Sequence, residues 1–315
     1  CSSSGQAKLM NRTLRIGTRD SRLATWQAKH VSGKLERMGI ESRLVFVKSE
    51  GDLDLATPLP EMGGKGVFTK ALDEALMSND IDLAVHSFKD LPTVNPLPLK
   101  VAAVLERGDP RDSLVAPKGV RYLEDSSVNA VIATSSHRRR AQWLHRFPDH
   151  EITNIRGNVQ TRLRKVEEQG WDGAIFAAAG LKRVNLDHHI AVYLDWMVPA
   201  PAQGAVAVMI RGTDPGLADL LLPLQHRGTA LCTGIERELL NRMEAGCSAP
   251  VGAYAWIEKE SVILRGVALT IDGAVQYDVE MTAPREEAEG LGIQAADALL
   301  EQGADKIMED LKKDY

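Results

Sequence analysis

The sequence predicts an α/β protein, with two domains built on mostly parallel sheets and a smaller α+β domain after them. From Leu14 to about Leu222, short β-rich runs alternate with segments that carry apolar residues at helical spacing. This alternation is typical of βα units that build a parallel sheet. After about Arg227 the pattern changes to one helix, three successive strands and a final helix. At roughly 150 residues per domain, 315 residues are compatible with two or three domains.

The first set of βα units starts with a strand at 14–17. An apolar helical stripe follows, and the next strand covers residues 43–47. A second helical stripe starts at Phe68 and precedes a strand at 82–85. The turn-rich segment 106–112 then separates this set from the next.

The second set has strands at 130–133, 152–155 and 174–177, with helices that begin near His137 and Val159. We therefore expect a second α/β domain.

The C-terminal block opens with a helix whose apolar residues recur every four positions, at Leu231, Ile235, Leu239 and Met243. Strands at 253–257, 262–270 and 276–282 follow, with Asp272-Gly273 as a tight turn. The last helix carries an apolar stripe over 291–299. This block predicts an α+β domain.

Composition limits the possible functions. The chain has 38 Lys and Arg against 43 Asp and Glu, a net charge of -5, which excludes a generally basic surface for nucleic acid. Its three cysteines form neither a disulfide framework nor a CxxC metal pattern. No apolar run approaches the length of about 20 residues that spans a bilayer. We expect a cytoplasmic protein that contacts neither nucleic acid nor a membrane.

Loops after several predicted strands carry cations and hydroxyl groups. Because ligands of open α/β sheets bind at the carboxyl ends of strands, these loops predict a site for several carboxylates or phosphates. Any one of these arginines could instead be solvated surface. The loop residues of interest are Arg19, Ser21, Lys89, Ser136, Arg138, Arg139, Arg156 and Arg162.

Two further residues stand out by their position. Asp90 directly follows Lys89 in a loop that otherwise favours anions, so it could stabilise a developing cation or move protons. Its alternative role is that of an ion-pair partner. Cys247 lies in a small-residue loop after a predicted helix, which would hold it on a turn; the alternative is a small buried hydrophobe.

Other site types have weaker support. The histidines lack metal-ligand spacing, so no metal is expected. The glycine-rich segment 63–66 lacks the GxxxxGK[ST] spacing of a phosphate loop, and we expect a mobile flap there.

The motifs along the chain resemble those of the porphobilinogen deaminase family, from about Leu14 to the final helix. They are RIGTRDSRLATWQ from Arg15, GGKGVFTK from Gly63, HSFKDLP from His86, ERGDPRD from Glu106, ATSSHRRRAQ from Ala133, IRGNVQTRL from Ile155, AAAGLKR from Ala177, PAQGAVAV from Pro201 and the loop around Cys247.

This resemblance implies three domains. Domain 1 would cover 12–106 and 205–222, domain 2 would cover 111–199, and domain 3 would cover 226–315. Domains 1 and 2 would be α/β domains like those of type II periplasmic binding proteins, and the α+β domain 3 would carry the cofactor cysteine.

The resemblance also implies an activity. A dipyrromethane cofactor, attached to Cys247 through a thioether, would prime the joining of four porphobilinogen molecules with loss of ammonia, giving 1-hydroxymethylbilane. Asp90 would be the catalytic carboxylate. The cofactor carboxylates would be held by Lys89, Ser136, Arg138, Arg139 and Arg162. Substrate and growing chain would contact Arg19, Ser21, Arg156, Arg183 and Gln203. The enzyme is expected to act as a monomer.

The sequence departs from the family at a few positions. Glu61 stands where many relatives have lysine before the glycine-rich segment, which puts substrate binding by that position in doubt. Two other functions are compatible with parts of the sequence. A binding protein of the same two-lobed fold would need neither Asp90 nor Cys247, and a nucleic-acid-binding protein would show binding that depends steeply on salt.

Overall fold

The computed structural model describes residues 12–48, 69–245 and 249–313, which form two compact units. The first unit contains the chain up to Gly108 together with Ala205–Ala230, and the second contains Asp109–Gly204 and the chain from Leu231 onward. One five-stranded sheet lies in the first unit; a second five-stranded sheet and a three-stranded sheet lie in the second. This architecture confirms the α/β class with a smaller α+β part. The predicted division into three domains stays a prediction.

The sheet of the first unit is mixed. Its strands are β1 (Leu14–Thr18), β2 (Ser42–Phe46), β3 (Leu83–Ser87), β4 (Leu99–Val104) and β10 (Val206–Arg211). They lie in the order β2-β1-β3-β10-β4. β1 is parallel to β2 and β3, whereas β10 is antiparallel to both β3 and β4. The βα pattern alone predicted a mostly parallel sheet and gave no sign of this insertion, because β10 comes from a distant part of the chain; only the family resemblance assigned 205–222 to the same domain.

Helices cover this sheet through apolar stripes. They are α1 (Arg22–Arg37), α2 (Lys70–Met77) and α6 (Pro215–Leu221). The predicted stripe of α1 is confirmed, since Ala28, Val31 and Leu35 are each 0% exposed in the core with Leu14 and Ile16. Phe68, the predicted start of the second stripe, lies outside the described residues.

The second unit contains an α/β sheet with its own helices. The strands are β5 (Asp112–Val115), β6 (Val131–Ala133), β7 (Glu151–Thr153), β8 (Gly173–Ala177) and β9 (Ile190–Tyr193). Their order is β7-β6-β8-β5-β9, with β6 parallel to β7 and β8, and β5 antiparallel to β8 and β9. The helices are α3 (His137–Arg146), α4 (Val159–Glu168) and α5 (Ala178–Arg183).

The α+β part of the second unit is an antiparallel meander covered by helices. Its elements are α7 (Arg227–Arg242, in this unit from Leu231 onward), β11 (Val251–Glu258), β12 (Ser261–Leu269), β13 (Gln276–Pro284), α8 (Leu291–Leu299) and α9 (Asp305–Lys313). The predicted stripe of α7 is buried, with Ile235 at 1% and Leu239 at 0% exposure. Across the ranges that the structure covers, no helix combines the length and hydropathy that crossing a membrane requires.

Candidate functional site

Two strand ends of the first unit meet at a small pocket. After β1 the chain passes through Arg19 and Ser21 into α1, and after β3 it forms a 3₁₀ turn, Phe88–Asp90. The pocket has a volume of about 80 Å³, and its polar lining comprises Arg19, Ser21, Gln27, Thr69, His86, Ser87 and Asp90. Three residues that the sequence assigned to one site therefore lie together: Arg19, Ser21 and Asp90.

The pocket adjoins the N-terminus of α1. Ser21 is the N-cap residue, and its Oγ accepts a hydrogen bond of 3.2 Å from the backbone N–H of Ala24. The positive end of the helix dipole and the Arg19 guanidinium both favour a bound anion here. The solvent-exposed carboxylate of Asp90 also lines this pocket, where it offers an acceptor for N–H groups.

Two buried polar residues form the inner wall of the pocket. Gln27, 2% exposed, donates from Nε2 to Ser87 Oγ over 2.8 Å. His86 is 5% exposed, and its Nε2 has no hydrogen-bond partner among the residues that the structure describes. Burial lowers the pKa of His86 to about 4, with a further contribution from the Arg19 charge, so the imidazole is neutral near pH 7.

Sequence reasoning gave His86 and Gln27 no role. The signal for His86 was nevertheless present, because it directly follows the predicted strand 82–85 inside the HSFKDLP motif, four residues before Asp90. Lys89, in the same motif, is half-buried and is not among the residues that line the pocket.

In the second unit, one carboxylate holds the two arginines of α3. Arg138 donates from Nη1 to Asp112 Oδ2 over 2.7 Å and to the carbonyl of Val198 over 2.8 Å. Arg139 donates from Nε to Asp112 Oδ1 over 2.8 Å and from Nη1 to the carbonyl of Ile175 over 3.1 Å. Asp112 is 0% exposed, and both arginines are buried.

Gln203 belongs to the same cluster, since its Nε2 donates to Asp112 Oδ1 over 3.1 Å and to the carbonyl of Pro110 over 2.8 Å. Burial lowers the pKa of Arg139; Asp112 opposes this effect and Arg138 adds to it. Two guanidinium groups and one carboxylate carry one net positive charge. The sequence analysis missed Asp112, because it lies in a segment that was interpreted as a turn.

The remaining predicted residues of this unit lie near helix ends. Ser136 is the N-cap of α3, and its Oγ accepts from the N–H of Arg139 over 3.4 Å. Arg162 donates from Nε to the carbonyl of Gly157 over 2.7 Å, which orients it at the start of α4. Arg156 precedes that helix and is half-buried.

Arg183 ends α5 and donates from Nη2 to the carbonyl of Gly204 over 2.5 Å. Burial lowers the pKa of Arg183 to about 10, and it stays protonated at neutral pH.

Cys247 lies outside the described residues, as do Glu61 and the glycine-rich segment 63–66. On either side of Cys247 the chain is described: Met243 and Ala245 are buried after α7, and β11 begins at Val251. Cys232, by contrast, is buried within α7, where it is 5% exposed. The roles predicted for Cys247 and for the other site residues stay predictions.

Comparisons with solved structures give distant matches. The Bordetella pertussis BvgS VFT2 domain, as a double mutant, is 14% identical and covers 70% of this chain and 90% of its own, with a TM-score of 0.42. A TRAP periplasmic solute binding protein from Desulfovibrio salexigens is 13% identical and covers 73% of this chain and 77% of its own, also with a TM-score of 0.42.

Comparisons with sequences are far closer. Residues 14–219 match the model described as porphobilinogen deaminase, dipyromethane cofactor binding domain, and residues 230–301 match the porphobilinogen deaminase C-terminal domain. The porphobilinogen deaminase of Syntrophotalea carbinolica is 44% identical over 94% of this chain and 95% of its own length. That of Carboxydothermus hydrogenoformans is 41% identical over 97% of this chain and 99% of its own. Two family models in succession and close relatives matched over nearly their full length lead to one conclusion: the chain belongs to the porphobilinogen deaminase family.

Proposed function

We propose that this protein is a transferase that joins four porphobilinogen molecules head to tail, releases ammonia at each step and then, by hydrolysis with one water molecule, yields 1-hydroxymethylbilane for tetrapyrrole synthesis. Relatives that are 41–44% identical and carry the name porphobilinogen deaminase support this activity. The structural observation that carries it is the pocket of the first unit, where the Asp90 carboxylate lies with the Arg19 cation. A site for anions alone would have no use for that carboxylate.

The pocket residues match both the carboxylates and the N–H group of a pyrrole substrate. Porphobilinogen carries two carboxylates, which Arg19 and the α1 N-terminus can bind through charge-assisted hydrogen bonds. Asp90 can accept a hydrogen bond from the pyrrole N–H in the same pocket. Arg156, Arg183 and Gln203 are proposed to contact the growing chain.

Each condensation breaks the bond between the substrate's methylene carbon and its amino nitrogen, which leaves as ammonia. The methylene carbon then bonds to a pyrrole α-carbon, and that carbon loses its proton. Positive charge develops on a pyrrole ring in both stages. The Asp90 carboxylate is proposed to stabilise this charge and to move the proton, because a fixed negative group beside a developing cation lowers the barrier.

The second unit fits a polyanionic cofactor. The cluster of Arg138, Arg139 and Asp112 carries one net positive charge in a buried place, which a cofactor carboxylate would balance. We propose that these arginines, with Lys89, Ser136 and Arg162, hold a dipyrromethane attached to Cys247 through a thioether. When bound, this group supplies the free pyrrole α-carbon to which the first substrate is joined.

The three separate sheets support a three-domain organisation: 12–106 with 205–222, 111–199, and 226–315. We further propose a monomeric protein of the cytoplasm, with porphobilinogen as its partner and no nucleic acid.

The first test is the intact mass of the purified, denatured protein, followed by peptide mapping. The expected result is an added mass of two linked pyrrole units on the peptide that contains Cys247, and four porphobilinogen molecules consumed per product. Cys247→Ala should lack the added mass. Cys232→Ala is the matched control, because this buried cysteine should leave the added mass in place.

An unmodified Cys247 that also gains no mass on incubation with porphobilinogen would contradict the proposal. In that case, retained binding of porphobilinogen without turnover would identify a binding protein.

A further inference from the structure

The pocket of the first unit contains one polar side chain to which the proposed function assigns no role. His86 is the penultimate residue of β3, pairs with Ala207 of β10, and lines the pocket together with Arg19 and Asp90. Its side chain is buried, yet Nε2 has no hydrogen-bond partner within the described ranges of the chain. A buried polar atom without a partner destabilises the fold, because it has lost its hydrogen bonds to water.

An aliphatic or aromatic residue at this position would avoid that cost. Neighbouring polar groups are satisfied within the protein: the buried Gln27 bonds to Ser87, and the hydroxyl of the half-buried Ser21 caps α1. His86 therefore differs from its neighbours in holding an unused hydrogen-bonding atom at the wall of a pocket. Such an atom fits a ligand that brings the missing partner.

The electrostatic surroundings indicate which partner it is. Arg19 is close enough for its charge to act on His86, and together with burial it lowers the pKa of the imidazole to about 4. A neutral imidazole has one N–H donor and one acceptor nitrogen. An anion bound to Arg19 would also lie near His86, whereas a pyrrole N–H already has a stronger acceptor in Asp90.

We propose that His86 is a substrate-contacting residue that donates its Nε2–H to the porphobilinogen carboxylate bound by Arg19. This inference rests on the proposed function and adds a residue to its substrate site. A neutral donor beside the arginine gives the carboxylate a second hydrogen bond with a fixed direction. It does so without a second full positive charge, which would oppose the cationic ring that forms during condensation.

The test compares two variants of the holoenzyme. His86→Phe keeps the ring shape but removes both nitrogens, and it should raise the KM for porphobilinogen about ten-fold, with kcat changed less than about three-fold. His86→Gln places an amide N–H near the position of Nε2 and should restore most of the affinity. Both variants should retain the cofactor mass.

His150→Phe is the matched control in the other unit. His150 is also buried, but its Nδ1 accepts a hydrogen bond of 3.2 Å from Trp143 Nε1. Its loss should lower the melting temperature and leave KM unchanged.

A spectroscopic measurement covers the case in which His86→Phe does not fold. In ¹⁵N-histidine-labelled Asp90→Asn protein, porphobilinogen should shift the Nε2 resonance of His86 and raise the pKa of its ring, since a carboxylate stabilises the protonated form. An unchanged resonance at saturating porphobilinogen would overturn the inference.

The outcomes separate the two proposals. A wild-type protein without turnover would contradict the proposed function. An active wild type combined with an unchanged KM in His86→Phe would overturn the role of His86 alone. Equal impairment of His86→Phe and His86→Gln would also overturn it, because the residue would then act by filling space.

Discussion

Replacing Asp112 by Asn should strongly destabilise the second unit. The substitution keeps the size and shape of the side chain and removes only its charge. Asp112 is 0% exposed and lies 2.7 Å from Arg138 Nη1 and 2.8 Å from Arg139 Nη2. Without it, two buried guanidinium groups would face each other with no anion between them.

The expected loss follows from the burial of the partners. Removing one member of a buried ion pair typically costs about 3–5 kcal/mol, because the remaining charge stays desolvated and uncompensated. Two cations depend on Asp112, while Asn could still accept one hydrogen bond from them. We therefore expect a decrease of about 3–5 kcal/mol in the free energy of unfolding.

Urea unfolding, followed by circular dichroism, measures this decrease in the free energy of unfolding. Asp195→Asn is the control: Asp195 accepts from Arg111 over 3.1 Å, but its side chain is 73% exposed. Exposed ion pairs contribute about 0–1 kcal/mol, so this variant should unfold almost like the wild type.

A loss below about 1 kcal/mol in Asp112→Asn would refute the reasoning, since that is the range of an exposed pair. The two arginines would then be compensated by another group. Replacing both arginines by leucine is not a clean test of their proposed cofactor role, because it would leave Asp112 buried without a cation and destabilise the unit. Replacement of each by lysine is the better test.

Three further predictions concern single residues. Asp90→Asn should keep the fold and the cofactor mass but lose at least about 100-fold in kcat, the usual range for a positioned acid or base, and near-normal turnover would refute its catalytic role. Gly273→Ala should lower the free energy of unfolding in urea by about 1–3 kcal/mol, because φ is +74° and a Cβ would lie 2.5 Å from the carbonyl oxygen of Ala141. Gly290→Ala is the control, since Gly290 has a positive φ but open space around it. An equal loss in both variants would show that the contact with Ala141 costs nothing. Burial raises the pKa of Asp73 to about 6, so its folded form favours the proton, and stability from this group is lost as pH rises from about 4 to 6. Asp73→Asn should therefore raise the melting temperature at pH 8 and change it little at pH 4, and equal changes at both values would contradict this explanation.

Local sequence patterns were sufficient to predict most helices and strands of the fold. The four-residue spacing of Ile235, Leu239 and Met243 predicted a buried helical stripe, and the structure buries it. The loop chemistry was also local: Arg19, Ser21 and Asp90 follow strands, and the ends of parallel neighbours β1 and β3 bring them to one pocket. The family motifs could be identified in the sequence for the same reason.

Contacts between residues that are far apart in the chain could be identified only from the tertiary structure. β10 inserts between β3 and β4 because long-range hydrogen bonding, which leaves no local signal, selects its neighbours. Asp112 meets Arg138 across 26 positions and Gln203 across 91, and sequence patterns report nothing about such separations.

The sequence by itself determined the types of element, their order and the chemical groups available at the strand ends, because side-chain periodicity and turn chemistry act over a few residues. The tertiary structure decided which of those groups are neutralised and which are left for a ligand. Arg138 was interpreted as a loop cation and has a buried carboxylate as its partner, whereas His86 was interpreted as a loop residue without a role and keeps an unused nitrogen at the pocket wall. Burial and pairing are properties of the packed chain, and they alone set the charge and the hydrogen-bonding capacity of a site.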